Sequence, residues 1–322
     1  MKSCLKYLTA LSMLSTASAQ TAVWEGTGTA VTEGRYWGEL ANWSGVADAP
    51  IGSARSISFN NDGNTAAGQR IPLLADASGN DTSITIGNIS FSTASGNRGY
   101  SIRNVTGGNG ELILDSGAGG TPVSISAYTS ASNVHSIDAN VQLNSDLELN
   151  IRGTSSSSTS NIFVVNGSIS GAGGIFSNAS NNYRTLFNGA NTYTGNTTLT
   201  NGQFVVGATG TLGNSDTFVS TAATLILESN AALNDTSNLT LQSGSILQLD
   251  FTGTDSVAGI TIAGSTLAAG TYDATALSGF GVSATGTGSF TIAAIPEPST
   301  AALLVGLSAV GLALARRDGR KD

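Results

Sequence analysis

The chain has 322 residues, of which only 11% are charged and 6% aromatic, and its formal net charge is −8. Gly, Ser, Thr and Asn, which are poor helix-interior residues, make up roughly 46% of it. With 40% apolar residues, one His and one Cys, the composition excludes a large α-helical domain and wholesale disorder and leaves few means of catalysis.

The N-terminal segment, residues 1–19, is predicted to be a secretory signal peptide that forms a helix. It has a basic start, a short apolar run and the small residues Ala17 and Ala19, which fit a cleavage site. A buried N-terminal helix is the alternative interpretation. Because the only cysteine, Cys4, lies in this segment, we expect the exported chain to lack thiols, disulfides and Cys–zinc sites.

Two sets of residues near the start of the body, one aromatic and one polar, are candidates for a binding site. Trp24, Trp37 and Trp43 could form a platform for sugar rings, but we expect them to cap one end of the core. Asn60–Asn64 is vaguely similar to a calcium loop, yet it lacks the spaced bidentate Glu, so a plain turn is predicted. No metal or cofactor site is therefore predicted.

The body, residues 20–295, is predicted to be all-β, built from short strands. Apolar and polar residues alternate in Ser83–Ile86, Asn88–Phe91, Glu111–Leu114, Val141–Leu143, Asp146–Ile151 and Leu239–Leu241. We expect glycine to take positive φ at corners formed by Asn109-Gly110, Asn166-Gly167, Asn188-Gly189 and Asn201-Gly202. A β-sandwich or barrel and a β-solenoid both fit such a pattern.

The close spacing of the strands favours the solenoid. The closely spaced units are Asn161–Ile169, Leu186–Asn188, Thr197–Thr200, Gln203–Val206, Thr217–Val219 and Thr224–Leu227. With ~20–25 residues per turn, the body is expected to contain on the order of a dozen turns. The residues predicted to point inward include Phe204, Val206, Leu225, Leu227, Leu247 and Leu249.

The body contains few candidate catalytic residues. His135 has Ser and Asp nearby, but adjacency in sequence does not make a triad, and a surface position is predicted. Asp146 and Glu148 share one strand face, as glycosidase carboxylates could, yet a solvated face is the expected interpretation. No catalytic residue is predicted. Residues 20–295 contain no Lys and 7 Arg against 18 acids, which disfavours nucleic-acid binding.

A repeat is best seen at residues 167–206. Its signature residues are Asn188, Gly189, Asn191, Thr192, Tyr193, Thr194 and Gly195, and they resemble the autotransporter-associated β-strand repeat. The resemblance implies a right-handed parallel β-helix that serves as a surface passenger. The last predicted strand of this body is Ser289–Ile292.

The C-terminal segment 296–317 resembles the PEP-CTERM sorting signal of Gram-negative bacteria. Its parts are Pro296, Glu297 and Pro298, a predicted single transmembrane helix at 299–315, and Arg316 and Arg317. The arginines predict a cytoplasmic tail, 318–322. The resemblance implies inner-membrane anchoring until an exosortase cuts near the prolines. An ordinary single-pass anchor is the alternative.

Three classes of function remain open. A non-enzymatic protein of the cell surface or extracellular matrix comes first, followed by a polysaccharide-degrading β-helix enzyme of the envelope and an adhesin or glycan-binding module. The hydroxyl- and amide-rich body makes exopolysaccharide or other surface glycans candidate partners. An exposed row of acids with Arg across adjacent turns favours the enzyme, whereas a bare Thr, Asn and Ser face favours the structural protein.

Overall fold

The computed structural model describes residues 21–27, 34–59, 71–92, 99–129, 134–153, 161–180 and 183–294. The signal segment 1–19, the Asn60–Asn64 loop, the predicted helix 299–315 and the tail 318–322 lie outside the described residues. Within the described ranges, no helix combines the length and the apolar character needed to cross a membrane.

The described part of the chain is almost entirely β-structure, as predicted. Its strands are β1 (Thr21–Trp24), β2 (Arg35–Tyr36), β3 (Trp43–Ser44), β4 (Ser56–Phe59), β5 (Pro72–Leu74), β6 (Ile84–Ile86), β7 (Ile89–Ser92), β8 (Ser101–Asn104), β9 (Glu111–Leu114), β10 (Val123–Thr129), β11 (His135–Ile137), β12 (Asn140–Leu143), β13 (Leu147–Gly153), β14 (Asn161–Val165), β15 (Ile169–Gly171), β16 (Ile175–Ala179), β17 (Arg184–Phe187), β18 (Thr197–Val206), β19 (Thr217–Val219), β20 (Ala223–Leu227), β21 (Asn238–Leu241), β22 (Ile246–Leu249), β23 (Thr254–Val257), β24 (Gly259–Ile262), β25 (Ser265–Thr266), β26 (Gly270–Asp273), β27 (Ser283–Gly286) and β28 (Ser289–Ile292). A five-residue helix, α1 (Ala274–Ser278), was not predicted and starts where the Asp273 carboxylate accepts a hydrogen bond from the Ala276 N–H at 2.8 Å.

The strands stack in parallel columns. The first column runs β1, β4, β7, β10, β13, β16, β18, β19, β21, β24, and each strand pairs with the corresponding strand of the next turn. The expected turn length of ~20–25 residues holds from β18 to β22, where Thr197 pairs with Thr217. The turn from β22 to β27 is longer, since Ile246 pairs with Ser283. Turns are longer near the N-terminus, where Ile57 pairs with Ile89, because longer loops join the strands there.

A second column runs β2, β5, β8, β11, β14, β17, β18, β20, β22, β27. Strand β18 belongs to both columns and turns the corner at Gly202, which has φ 76°. A shorter third column consists of β6, β9, β12 and β15. Parallel strands of successive turns stacked in columns are typical of a β-solenoid.

The core lies between the columns, and most strands contribute every second side chain to it. Phe204, Val206, Leu225, Leu227, Leu247 and Leu249, which were predicted to point inward, are all buried. Stacked turns place similar side chains above each other, as with Phe59 and Phe91, whose parallel rings lie 5.1 Å apart. Each buried Leu, Ile or Phe stabilises the fold by about 1.5–3 kcal/mol relative to exposure.

The tryptophans close the N-terminal end of this core, as predicted. Trp24, Trp37 and Trp43 are at most 5% exposed, and the rings of Trp24 and Trp43 meet edge to face at 4.9 Å. The indole N–H of Trp43 donates to the Trp37 carbonyl at 2.7 Å. The three rings are therefore packing residues and do not form an exposed platform for sugars.

The conformation predicted for the Asn-Gly pairs is wrong at three of the four positions. Of the four glycines in these pairs, only Gly202 has positive φ. At Gly110, Gly167 and Gly189 a Cβ atom would collide with a backbone carbonyl oxygen of the neighbouring turn. Glycine is needed there because adjacent turns approach too closely for a side chain, and the turn conformation does not require it.

Candidate functional site

The residues assigned to export and sorting lie outside the described residues. They are Ala17, Ala19, Pro296, Glu297, Pro298, Arg316 and Arg317. The described chain ends at Ala294, just beyond β28, and β28 is held on both sides by β23 and β26. The motif at Pro296 therefore starts where the paired strands of the body end.

The repeat signature contains a buried asparagine that joins three turns of the chain. The Asn191 side chain accepts a hydrogen bond from the Ile169 N–H at 2.7 Å and donates one to the Thr211 carbonyl at 2.6 Å. Its own N–H donates to the Thr211 hydroxyl at 2.8 Å. Because Asn191 is only 3% exposed, these bonds replace water for backbone groups that no strand pairs.

Other signature residues also hold the turn in place. Tyr193 is fully buried, its hydroxyl lies 2.6 Å from the Thr197 hydroxyl, and burial raises the pKa of the phenol to about 12. The Thr192 and Thr194 N–H groups donate to carbonyls of the preceding turn at 2.8 and 3.0 Å. A Cβ atom on Gly195 would collide with the backbone of Gly174. The signature residues therefore have structural roles, because they pack and hydrogen-bond one turn against the next.

A ladder of polar side chains runs along the outside of the second column. The Asn188 amide donates to the Asn166 side chain at 2.8 Å, and the Asn166 amide donates to Asp138 at 2.6 Å. Asp138 also forms an ion pair with Arg103 at 3.0 Å. Asp138, Asn166 and Asn188 each occupy the position just after their strand. The ladder therefore fixes the register of successive turns.

The predicted surface position of His135 is wrong, because the residue is fully buried. Its ring stacks on Phe91 with centroids 5.0 Å apart, and its Nδ1 accepts a hydrogen bond from the Tyr100 N–H at 3.1 Å. His135 shares the inward face of β11 with Ile137, whereas Val134 is exposed. The alternation His135-Ser136-Ile137 was the signal that could have placed it inside.

Asp146 and Glu148, for which a solvated strand face was expected, do not form a separate site. Asp146 precedes β13, is exposed, and accepts a hydrogen bond from the Gly174 N–H at 2.7 Å, which ties it to the next turn. Glu148 lies on the outer face of β13, in register with Ser124 and Phe176. The outer row beside it is bare of charge: Ser58, Ser90, Ser126, Asn150 and Asn178 follow one another in register.

A polar cleft of about 380 Å³ opens at the far end of the second column. Its lining residues come from successive turns: Ala208, Glu228, Ser229, Asn230, Asp250, Phe251, Thr252 and Thr287. Glu228, Asp250 and Thr287 each follow the last residue of β20, β22 or β27, and those last residues are paired in register. Neighbouring strands lie ~4.8 Å apart, so the three side chains form a row.

This cleft was not predicted from the sequence. The segments Leu225-Ile226-Leu227-Glu228 and Leu247-Gln248-Leu249-Asp250 place an acid directly after two leucines spaced two residues apart, on consecutive turns. That repetition is a signal that could have identified the two carboxylates. Placing the two carboxylates in one row requires the length of the turn between them, which the sequence does not give.

The electrostatics of the cleft are dominated by its carboxylates. A guanidinium nitrogen of Arg184 lies 4.0 Å from Glu228, at the limit of an ion pair. Among the described residues, none donates a hydrogen bond to the Asp250 carboxylate, which is exposed. Nowhere in the described ranges do three or more His, Cys, Asp or Glu side chains gather as metal ligands would.

A different carboxylate near this end is buried. Asp255 is 2% exposed and accepts a hydrogen bond from the Leu233 N–H at 3.1 Å. Burial raises the pKa of Asp255 to about 6, and the nearby Asp235 charge adds to the effect, while the backbone donors oppose it. Its contacts are structural, because it holds the Ala232–Leu233 backbone against β23.

Comparison with known proteins bears on the C-terminus alone. No curated protein and no solved structure matches the chain. One family model does match a short segment, the PEP-CTERM protein-sorting motif at residues 294–320. This match agrees with the predicted segment 296–317, and the motif implies that the chain is exported and processed by an exosortase.

Proposed function

We propose that the chain is a non-enzymatic protein of the cell surface or extracellular matrix, released there when an exosortase-type enzyme removes its sorting signal. The observation that carries the proposal is the PEP-CTERM motif at residues 294–320, immediately after the last strand of the body. Pro296 and Pro298 disfavour helical geometry around them, so the junction suits binding as an extended strand.

Transient membrane anchoring is part of this proposal. The signal segment 1–19 directs export, and the apolar segment 299–315 forms a membrane helix. At 17 residues and about 26 Å, that helix is short for a ~30 Å hydrocarbon core. Arg316 and Arg317 keep the tail in the cytoplasm and leave the body on the outer side of the inner membrane.

The body itself is proposed to be a right-handed parallel β-helix related to the autotransporter-associated repeat. The parallel columns and the bridging role of Asn191 support this, since each turn needs its neighbours to satisfy its backbone groups. Such a body is elongated and rigid, which suits a passenger at a surface. Its uncharged outer row, from Ser58 to Asn178, supports the structural role over catalysis.

Binding of surface glycans is the second candidate function, and the polar cleft beside Glu228 and Asp250 is the observation that favours it. Degradation of glycans is a weaker alternative, because most carboxylates with defined contacts are used in packing. Asp138, Asp146 and Asp216 each accept hydrogen bonds from an adjacent turn.

Fractionation of the native cells tests the sorting proposal. We expect the wild-type body in the surface or matrix fraction. A variant with Pro296→Ala, Glu297→Ala and Pro298→Ala should remain in the inner membrane, because the processing enzyme no longer recognises it. Pro122→Ala, an exposed proline of the body, is the matched control and should sort normally. Normal sorting of the triple variant would refute the proposal.

A further inference from the structure

The cleft at the end of the second column contains an acid with no structural task. Asp250 follows β22 at the same register position that Asp138 and Asn166 occupy on earlier turns, where the side chains bond to each other. Within the described part of the chain, the Asp250 carboxylate has no such bond. Its oxygens therefore stay available to a ligand.

The position of Asp250 destabilises the fold. Asp250 and Glu228 directly follow the adjacent strands β22 and β20, whose last residues, Leu249 and Leu227, pair in register. Neighbouring strands are ~4.8 Å apart, and like charges on neighbouring strands at such a spacing are destabilising. Arg184, 4.0 Å from Glu228, offsets part of this repulsion. A ligand that donates hydrogen bonds to both carboxylates would offset the rest.

The remaining walls define the chemistry of that ligand. Ser229, Thr252, Thr287 and the amide of Asn230 offer donors and acceptors. Phe251, which is 6% exposed, supplies a small apolar part of the wall. The Phe251 ring lies against Gly288, where any Cβ atom would meet it at 2.5 Å. Such a mixture suits a compact molecule with many hydroxyls and an apolar ring face.

The charge and the size of the cleft further restrict the class of ligand. Two carboxylates repel uronates, sulfates and phosphates, while fewer than three acidic or imidazole groups gather there to hold a metal ion. A volume of about 380 Å³ lies within the usual range for small-ligand sites. We propose that this cleft binds a neutral sugar unit of a surface polysaccharide, an inference that deepens the proposed role at the cell surface.

Calorimetric titration of the purified full-length protein tests the inference. The probes are neutral oligosaccharides of glucose, mannose and galactose, with an oligoalginate as the anionic comparison. We expect binding of at least one neutral probe and none of the alginate. Asp250→Asn and Glu228→Gln keep the shape of the cleft and should weaken binding about tenfold, because a charged acceptor is lost. Glu148→Gln, on the first column, is the matched control and should bind normally.

Three results would overturn the inference: no binding of any neutral probe, unchanged binding by Asp250→Asn, or binding that requires added calcium. Thermal unfolding checks that the variants fold, and Asp250→Asn should unfold at a slightly higher temperature because the repulsion with Glu228 is removed. Failure here leaves the sorting proposal intact, since cell fractionation does not depend on the cleft.

Discussion

Replacing Asn191 by Ala should destabilise the body more than any other single amide replacement of the repeat signature. The change leaves the Ile169 N–H and the Thr211 carbonyl without their partners, which lie at 2.7 and 2.6 Å. Each unsatisfied buried backbone group costs about 1–3 kcal/mol. We therefore expect the free energy of unfolding to fall by about 3 kcal/mol, and turns on both sides to loosen together.

Urea unfolding of the full-length protein in detergent, followed by circular dichroism, measures this loss. Asn178→Ala is the matched control, because Asn178 lies on the outer face of β16 and no side-chain hydrogen bond involves it within the described residues. Its effect should stay within about 0.5 kcal/mol. An Asn191→Ala variant as stable as this control would refute the bridging role.

Two further changes test the packing of the turns. Asp255 has a pKa raised from 3.8 to about 6, so its contribution is fully present below pH ~4 and lost as pH rises through ~6, a change of the order of 3 kcal/mol. Asp255→Asn should remove this slope from a series of urea titrations between those pH values, and an unchanged slope would contradict the burial effect. Gly189→Ala should destabilise by about 1–3 kcal/mol, because its Cβ atom would meet the Gly167 carbonyl. Gly119→Ala, with open space around it, should be neutral or slightly stabilising in the same assay, and equal effects would refute the close-approach argument.

Local periodicity predicted much of the fold. Glu111–Leu114 and Ser289–Ile292 are strands with the predicted bounds, because alternation directly reports which face is buried. The length of the N-terminal turns could not be predicted, since loops such as those between β1 and β7 carry no periodic signal. The helix Ala274–Ser278 depends on one cap residue, which a composition argument overlooks.

The polar residues were harder to place from the sequence. His135 was expected at the surface because a lone histidine in a strand-loop stretch is ordinarily a surface residue, yet the alternation of its strand puts it beside Ile137 in the core. The cleft depends on which residues of different turns share a row. That register follows from the pairing of Leu227 with Leu249, a contact between residues distant in sequence, and no local pattern specifies it.

Mass spectrometry of the C-terminus of the protein from its native cells tests directly whether the sorting signal is removed. We expect the surface-located form to end near Pro296–Pro298, with the apolar segment 299–315 and Arg316 removed. A surface-located form that still ends at Asp322 would contradict it and leave a permanently anchored protein in its place.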